Sequence, residues 1–210
     1  MKILVTGFDA FQGEKINPSS LLSKELLENW TLDKIGSSQM NIESLLLPVA
    51  YQKAWPSLER KLEKKSFDFV LMLGQAGGRS KISLERVALN LIDSETPDEE
   101  GVQIIETPID PTEPKAIFHD LPLRKWLGKL NQKTSNFEIS TTAGTFVCNL
   151  VYFQYLLWQQ RTKRKTQGLF VHLPYLPEQL SEKPTGTPSM GLDQMKKSIL
   201  DLLNLFLDRP

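Results

Sequence analysis

The sequence predicts an α/β fold in which a twisted, mixed or parallel sheet carries helices on both faces. Three observations point there. Segments with strand-like and helix-like periodicity alternate through most of the chain. One segment, Phe67-Asp-Phe-Val-Leu-Met-Leu73, is nearly continuous in apolar residues, as a strand covered on both sides must be. Glycine-bearing corners follow several strand-like runs, at Gly7, at Gly74-Gln-Ala-Gly-Gly78 and at Gly144.

In chain order, residues 2–6 form a short apolar strand stopped by Gly7, and Phe8-Asp-Ala-Phe-Gln-Gly13 is a loop. Two glycines at that distance are not a dinucleotide fingerprint, which needs three in close spacing. Phe8 and Phe11 serve there either as core packing or as walls of a small apolar pocket. Asn17-Pro-Ser19 starts a helix carrying Leu21, Leu22, Leu26 and Leu27. Residues 41–48 read as a second strand, and 51–65 as a helix with Trp55, Leu58 and Leu62 inward. The strand at 66–73 ends in the glycine corner, a favoured ligand position at the end of a central strand. Residues 82–92 read as one strand on which Glu85 shares a face with Val87, Leu89 and Leu91, away from Arg86 and Asn90. A carboxylate on an apolar face must be paired, so either Glu85 lies at an exposed strand end or a histidine takes it up.

Residues 93–120 are polar and proline-rich, a long loop or pair of loose hairpins with one short strand near 101–105. His119, in this stretch, is expected to be solvated. A helix at 121–130 follows. Phe137 and Ile139 then alternate with Glu138 and Ser140 as a strand, which small residues at 140–144 interrupt. From Phe146 onward Phe146, Leu150, Phe153 and Leu157 mark a helix, widened by Val147, Val151, Tyr155 and Trp158 until it is almost wholly buried. The basic residues at 161–165 complement its C-terminus. Residues 168–173 form a last strand ended by Pro174, which puts His172 at its C-terminal edge. A closing amphipathic helix at 191–207 carries Leu192, Met195, Ile199, Leu202, Leu203 and Phe206.

Cys148, the only cysteine, falls in or near the first turn of the helix that begins at Phe146. Free N–H groups and the positive end of the helix dipole favour an anion there, biasing the thiol toward thiolate and offering donors for an oxyanion. A lone cysteine beside Phe and Val is equally well a small buried hydrophobe, and a lone histidine in an apolar strand a satisfied core residue. Glu85, Cys148 and His172 all fall at strand ends or strand-to-helix corners. A nucleophilic thiol, a base and an orienting carboxylate are the parts of a cysteine hydrolase.

Composition narrows the alternatives. In 210 residues, 25 Lys and Arg balance 25 Asp and Glu, so nothing argues for a nucleic-acid or membrane partner. With 40% hydrophobic residues the length suits one globular domain or at most two small ones. One cysteine excludes an intrachain disulfide and fits a reducing compartment. The N-terminal apolar run is too short for a signal peptide, and no segment reaches bilayer length. A soluble cytoplasmic protein is expected. There is no internal repeat, no metal-ligand spacing and no phosphate loop.

Four segments in order resemble the pyroglutamyl peptidase I (pyrrolidone-carboxylate peptidase) family over nearly the whole chain. They are Thr6-Gly-Phe-Asp-Ala-Phe-Gln-Gly13 with Asn17-Pro-Ser19; Gly74-Gln-Ala-Gly-Gly-Arg79 with Ile82-Ser-Leu-Glu-Arg-Val-Ala-Leu-Asn90; Ser140-Thr-Thr-Ala-Gly-Thr-Phe-Val-Cys-Asn149; and Phe170-Val-His-Leu-Pro-Tyr-Leu-Pro-Glu-Gln179. The resemblance implies a single α/β peptidase domain over residues 1–210 and a Cys148–His172–Glu85 triad. It implies removal of N-terminal pyroglutamyl residues from peptides, with neither cofactor nor metal. Phe8 and Phe11 would flank the lactam ring, Phe146 and Val147 would line its pocket, and Gln75 would offer backbone hydrogen bonds. Asp98 matches a family aspartate near the site, and tetrameric homo-oligomers are common in the family.

The sequence also departs from the family pattern. Ala10 and Gln12 replace the usual Pro and Gly, Glu95 stands where many members carry arginine, and Val49 where threonine is common. These changes keep two other readings open: a cysteine amidase acting on another small lactam or acyl-amide, and a weakly active lactam-binding relative.

Overall fold

A computed structural model describes residues 1–30 and 41–207. Six strands form one mixed sheet in the order β2-β1-β3-β8-β4-β7. The strands β1 (Lys2–Phe8), β2 (Asn41–Leu47), β3 (Phe69–Gln75) and β8 (Gln167–Leu173) run parallel. β4 (Ile82–Glu85) lies antiparallel to β8 and parallel to β7 (Phe137–Ser140). A separate two-stranded antiparallel ribbon joins β5 (Val87–Leu89) to β6 (Ala116–Phe118).

The strand residues alternate between two apolar layers. Ile3, Val5, Phe69, Leu71, Leu73, Leu169, Val171 and Leu173 face one way. There they meet Leu22 and Leu26 of α1 (Pro18–Trp30), Trp126 and Leu130 of α3 (Leu123–Asn131), and Met195, Ile199 and Leu203 of α5 (Leu192–Leu207). Leu4, Val70, Met72 and Phe170 face the other way, against Leu58 and Leu62 of α2 (Ala54–Lys64) and the buried residues of α4 (Val147–Thr162). The doubly covered strand read at 66–73 is therefore β3, shifted two to three residues toward its C-terminal end. Among the described residues no helix is long and apolar enough to cross a membrane.

Three expectations change. The run at 82–92 is not one strand. It breaks at Arg86, whose N–H donates to the Ser140 carbonyl at 3.0 Å, and continues in the second sheet as β5. The stretch 92–107 is a loose hairpin tied by paired Ile92–Thr107 bonds of 2.7 and 2.9 Å, with no strand at 101–105. The partner of β5 is β6, further on, where three residues are too few to show a period. His119 is half-buried, and its Nδ1 accepts the Leu121 N–H at 2.9 Å. A 3-10 helix over Pro177–Glu182 lies between β8 and α5.

Candidate active site

Glu85, Cys148 and His172 belong to three different elements, and the sheet brings them to one face. In β4, Ile82 and Leu84 pack into the α1–α5 side, so Ser83 and Glu85 point to the α2–α4 side. In β8, Phe170 and His172 point to that same side, and their rings lie 4.9 Å apart. Glu85 is fully buried and His172 is 3% exposed. His172 Nδ1 lies 2.8 Å from Glu85 Oε1. A carboxylate oxygen only accepts, so in the neutral imidazole Nδ1 carries the proton and Nε2 keeps its lone pair. Of the two readings of Glu85, the exposed strand end is wrong and the histidine partner is right. The predicted common face with Val87 and Leu89 disappears with the break at Arg86.

A second partner of Glu85 escaped the sequence reading. Arg79 Nη1 donates to the same Oε1 at 2.7 Å, and Arg79 Nη2 donates to the Thr142 carbonyl at 3.2 Å. From sequence, Arg86 was the only arginine weighed against Glu85. The glycine corner between β3 and β4 is what turns Arg79 back over the carboxylate. Tyr152 Oη donates to the Glu85 carbonyl at 3.0 Å, fixing the end of β4 against α4.

Cys148 is the second residue of α4, as expected. The helix starts on Phe146, whose backbone is extended and whose side chain makes no cap, so the first-turn N–H groups have no side-chain acceptor. Asn149 anchors this turn: its Oδ1 accepts from Leu89 N at 2.8 Å, and its Nδ2 donates to the Leu89 and Leu91 carbonyls at 2.8 and 3.0 Å. The sulfur reaches the sheet through Gly74. Gly74 and His172 are register partners on adjacent parallel strands, so a Cβ at either leaves the sheet on the same side. A Cβ on Gly74 would lie 3.0 Å from Cys148 Sγ and 2.9 Å from the Phe170 ring. The missing side chain leaves the space the thiol occupies, on the side of the sheet that His172 faces. Gly74→Ala is therefore expected to displace Sγ and lower kcat/KM about 100-fold. The overpacking should destabilise the fold by about 1–3 kcal/mol. Steady-state kinetics with urea unfolding checks both.

The electrostatics correct one expectation. Burial, then the charge of Glu85, pushes the Cys148 thiol up to about 12, against the lowering effects of Arg79 and the backbone N–H. The helix-end bias toward thiolate is present but loses, because a partial dipole charge is small beside desolvation and a full negative charge. His172 is lowered, chiefly by burial, although its bond to Glu85 works the other way and Arg79 adds to the lowering. The resting site holds a neutral thiol and a neutral imidazole.

Around this face stand the other predicted residues. Phe11 and Phe146 are half-buried and stack at 6.3 Å, with Tyr51 edge-on to Phe146 at 5.3 Å. Phe8 and Val147 are closed into the core, Phe8 against Phe170. Gln75 ends β3 half-buried, and its side-chain oxygen accepts from Gln179 Nε2 at 2.9 Å. Asp98 is buried and accepts from the N–H groups of Tyr51, Glu100 and Val102 at 2.8–2.9 Å. Burial would raise its carboxyl, but these N–H groups and the Lys53 charge hold it below the usual range. Asp98 thus fixes the backbone at Tyr51, one contact away from Phe146. Glu95 is exposed; its carbonyl accepts from Gln103 Nε2 at 2.9 Å. Val49 is buried, and Gln12 takes a left-handed φ of 54°, a conformation natural to the glycine common at that position.

A thiol, an imidazole and a carboxylate gathered on one face of an α/β sheet place the molecule with the cysteine-type hydrolases. Comparison with known proteins makes this specific. Residues 1–201 match the pyroglutamyl peptidase family. The chain is 40% identical over 199 residues to pyrrolidone-carboxylate peptidase 1 of Caldanaerobacter subterraneus subsp. tengcongensis, covering 95% of this chain and 94% of the relative. It is 42% identical over 200 residues to the pyrrolidone-carboxylate peptidase of Fusobacterium nucleatum, covering 94% and 89%. The crystal structure of pyrrolidone carboxyl peptidase from Fervidobacterium islandicum superposes with a TM-score of 0.89 at 37% identity, covering 99% of each chain. Pyroglutamyl peptidase I of Bacillus amyloliquefaciens gives 0.85 at 34% identity, covering 95% and 93%. The chain belongs to the pyroglutamyl peptidase family and is a cysteine-type exopeptidase.

Proposed function

We propose that this chain, acting as a single peptidase domain, hydrolyses N-terminal pyroglutamyl residues from peptides with Cys148 as nucleophile, His172 as base and Glu85 as its orienting acid. The observation that carries this is the 2.8 Å Glu85–His172 bond on the face where Gly74 admits the Cys148 sulfur. With Nδ1–H held by Glu85, His172 Nε2 takes the thiol proton as Sγ attacks the pyroglutamyl carbonyl. The first-turn N–H groups of α4, uncapped by any side chain, stabilise the oxyanion. Nε2–H then protonates the leaving amine, giving a thioester. Water deprotonated by His172 attacks the thioester, releasing pyroglutamate and the free thiol. Phe11 and Phe146 suit an uncharged lactam, which a ring-lined pocket holds without an ion pair. Cytoplasmic action as a homo-oligomer, without cofactor or metal, completes this reading.

The test is release of chromophore from a pyroglutamyl chromogenic amide, with and without prior thiol alkylation, beside a panel of other lactam and acyl amides. Alkylation-sensitive release from the pyroglutamyl substrate is expected, and preference for another amide would move the assignment to the amidase reading. The pH profile carries a further expectation. The base-competent form of His172 is neutral, and its proton affinity is lowered, so that form persists to lower pH. The acid limb of kcat/KM should fall below about 6.5, the ordinary histidine value. A limb at or above that value contradicts this electrostatic account.

A further inference from the structure

We propose that Arg79 is a positioning residue of this site, pairing with the Glu85 carboxylate and aiming it at His172 while tying it to the loop that delivers Cys148. The proposal rests on the Cys148–His172–Glu85 reading and extends it to a fourth side chain. Glu85 is fully buried, and among the described residues Arg79, one-quarter exposed, is the one permanently charged group paired with it. A buried carboxylate facing a neutral imidazole lacks a counter-charge, and an uncompensated buried charge is costly. Arg79 supplies that charge at 2.7 Å, on the very oxygen that His172 uses.

The second arm of the guanidinium adds geometry. Nη2 holds the Thr142 carbonyl at 3.2 Å. Thr142 lies in the turn between β7 and α4, where Thr142 N and Oγ1 also close small bonds with Ser140 Oγ and Gly144 N. One planar fork thus joins the acid on β4 to the turn six residues before the nucleophile, a fit that a lysine point charge cannot reproduce.

The proton balance gives the signature. Without Arg79 the Glu85–His172 pair binds one more proton more readily. That proton makes either an imidazolium or a neutral Glu85 donating to Nδ1, and in both states Nε2 carries hydrogen. Neither state can take the thiol proton, so the acid limb must rise. The other ionisable groups facing this pair are the Cys148 thiol and Tyr152, both pushed upward by burial and then by Glu85, and Glu138, which accepts from Ser83 Oγ at 2.8 Å.

The experiment compares wild type, Arg79→Met and Arg79→Lys on the pyroglutamyl chromogenic amide, with full pH profiles and thermal unfolding. For Arg79→Met, kcat should fall about 100-fold with KM changed less than about threefold. Its acid limb should move up by about one pH unit or more. Arg79→Lys should restore the limb but only part of kcat, since it keeps the charge and loses the fork. Guanidinium ion added to Arg79→Ala should recover activity. A folded Arg79→Met enzyme with wild-type kcat and an unmoved limb overturns the proposal alone. An inactive, folded wild type fails earlier and counts against the pyroglutamyl reading instead. Should Arg79→Met not fold, Arg79→Lys carries the decision: an acid limb and kcat both falling as in a misfolded fraction, with no partial recovery, overturn the role.

Discussion

Replacing Cys148 with alanine is expected to lower kcat by about 10^4-fold or more while leaving the fold in place. The thiol is the only cysteine sulfur in the chain. Loss of a nucleophile removes the covalent route entirely, leaving the residual rate that binding and oxyanion donors supply. The structural effect should be small, about 1 kcal/mol, because residue 148 is not fully buried and alanine leaves the helix start intact. A burst-free, inactive and normally unfolding Cys148→Ala protein is the expected result, read from kinetics beside thermal unfolding. Turnover within about tenfold of wild type would exclude the thioester mechanism.

The same residue tests the state of the resting site. A thiol pushed up to about 12 by burial and by Glu85 is almost fully protonated near neutrality. Alkylation by iodoacetamide should then accelerate about tenfold per pH unit across the neutral range, with no plateau. A plateau near neutral pH would mean a resting thiolate–imidazolium pair. On the proposed mechanism the site instead separates charge only when substrate arrives. Desolvation makes the ground state neutral, and the helix N–H groups become worth most when the oxyanion forms.

What could be read from the chain differs by the kind of interaction. The doubly covered β3, the burial of α4 and the helix starts at Asn17 and Phe146 were legible, since periodicity and local hydrogen bonding set them. The Asn17 side chain indeed accepts the Ser19 N–H at 3.0 Å. The alternation of facing residues also placed His172 at a strand end correctly. Glu85 resisted, because the bend at Arg86 depends on a bond to Ser140, fifty-four residues away, which no local period reveals. Arg79 was hidden for a related reason: it sits in a glycine-rich corner whose direction, not its composition, decides what the guanidinium meets. The thiolate bias at Cys148 failed on magnitude. A helix start was visible in sequence, whereas the depth of burial and the distance to a buried charge are properties of the folded sheet. His119 and the short β6 were lost in a polar, proline-rich stretch with too few residues to carry a pattern.

Glu85→Gln isolates the charge from the shape of the site. Glutamine nearly matches glutamate in size, so its oxygen can still accept from His172 Nδ1 and Arg79. The amide nitrogen would occupy the place of Oε2, a buried atom with no hydrogen-bond partner among the described residues, and so would bury an unpaired donor. More important, the imidazolium that forms as Sγ attacks would lose its anion and face the arginine alone. Activity is expected to fall about 10^3- to 10^4-fold. Stability should fall by about 1–3 kcal/mol, limited because Arg79 retains partial access to solvent. The direction of the residual pH profile is decisive. Glu85 raises the proton affinity of His172 and Arg79 lowers it, so Glu85→Gln should move the acid limb down while Arg79→Met moves it up. Opposite shifts at two residues bound to each other cannot arise from a shared loss of packing, which would move both profiles the same way or neither. Kinetics of Glu85→Gln within about tenfold of wild type, or a limb that moves upward, would remove Glu85 from the proton path and leave Cys148 and His172 to act as a pair.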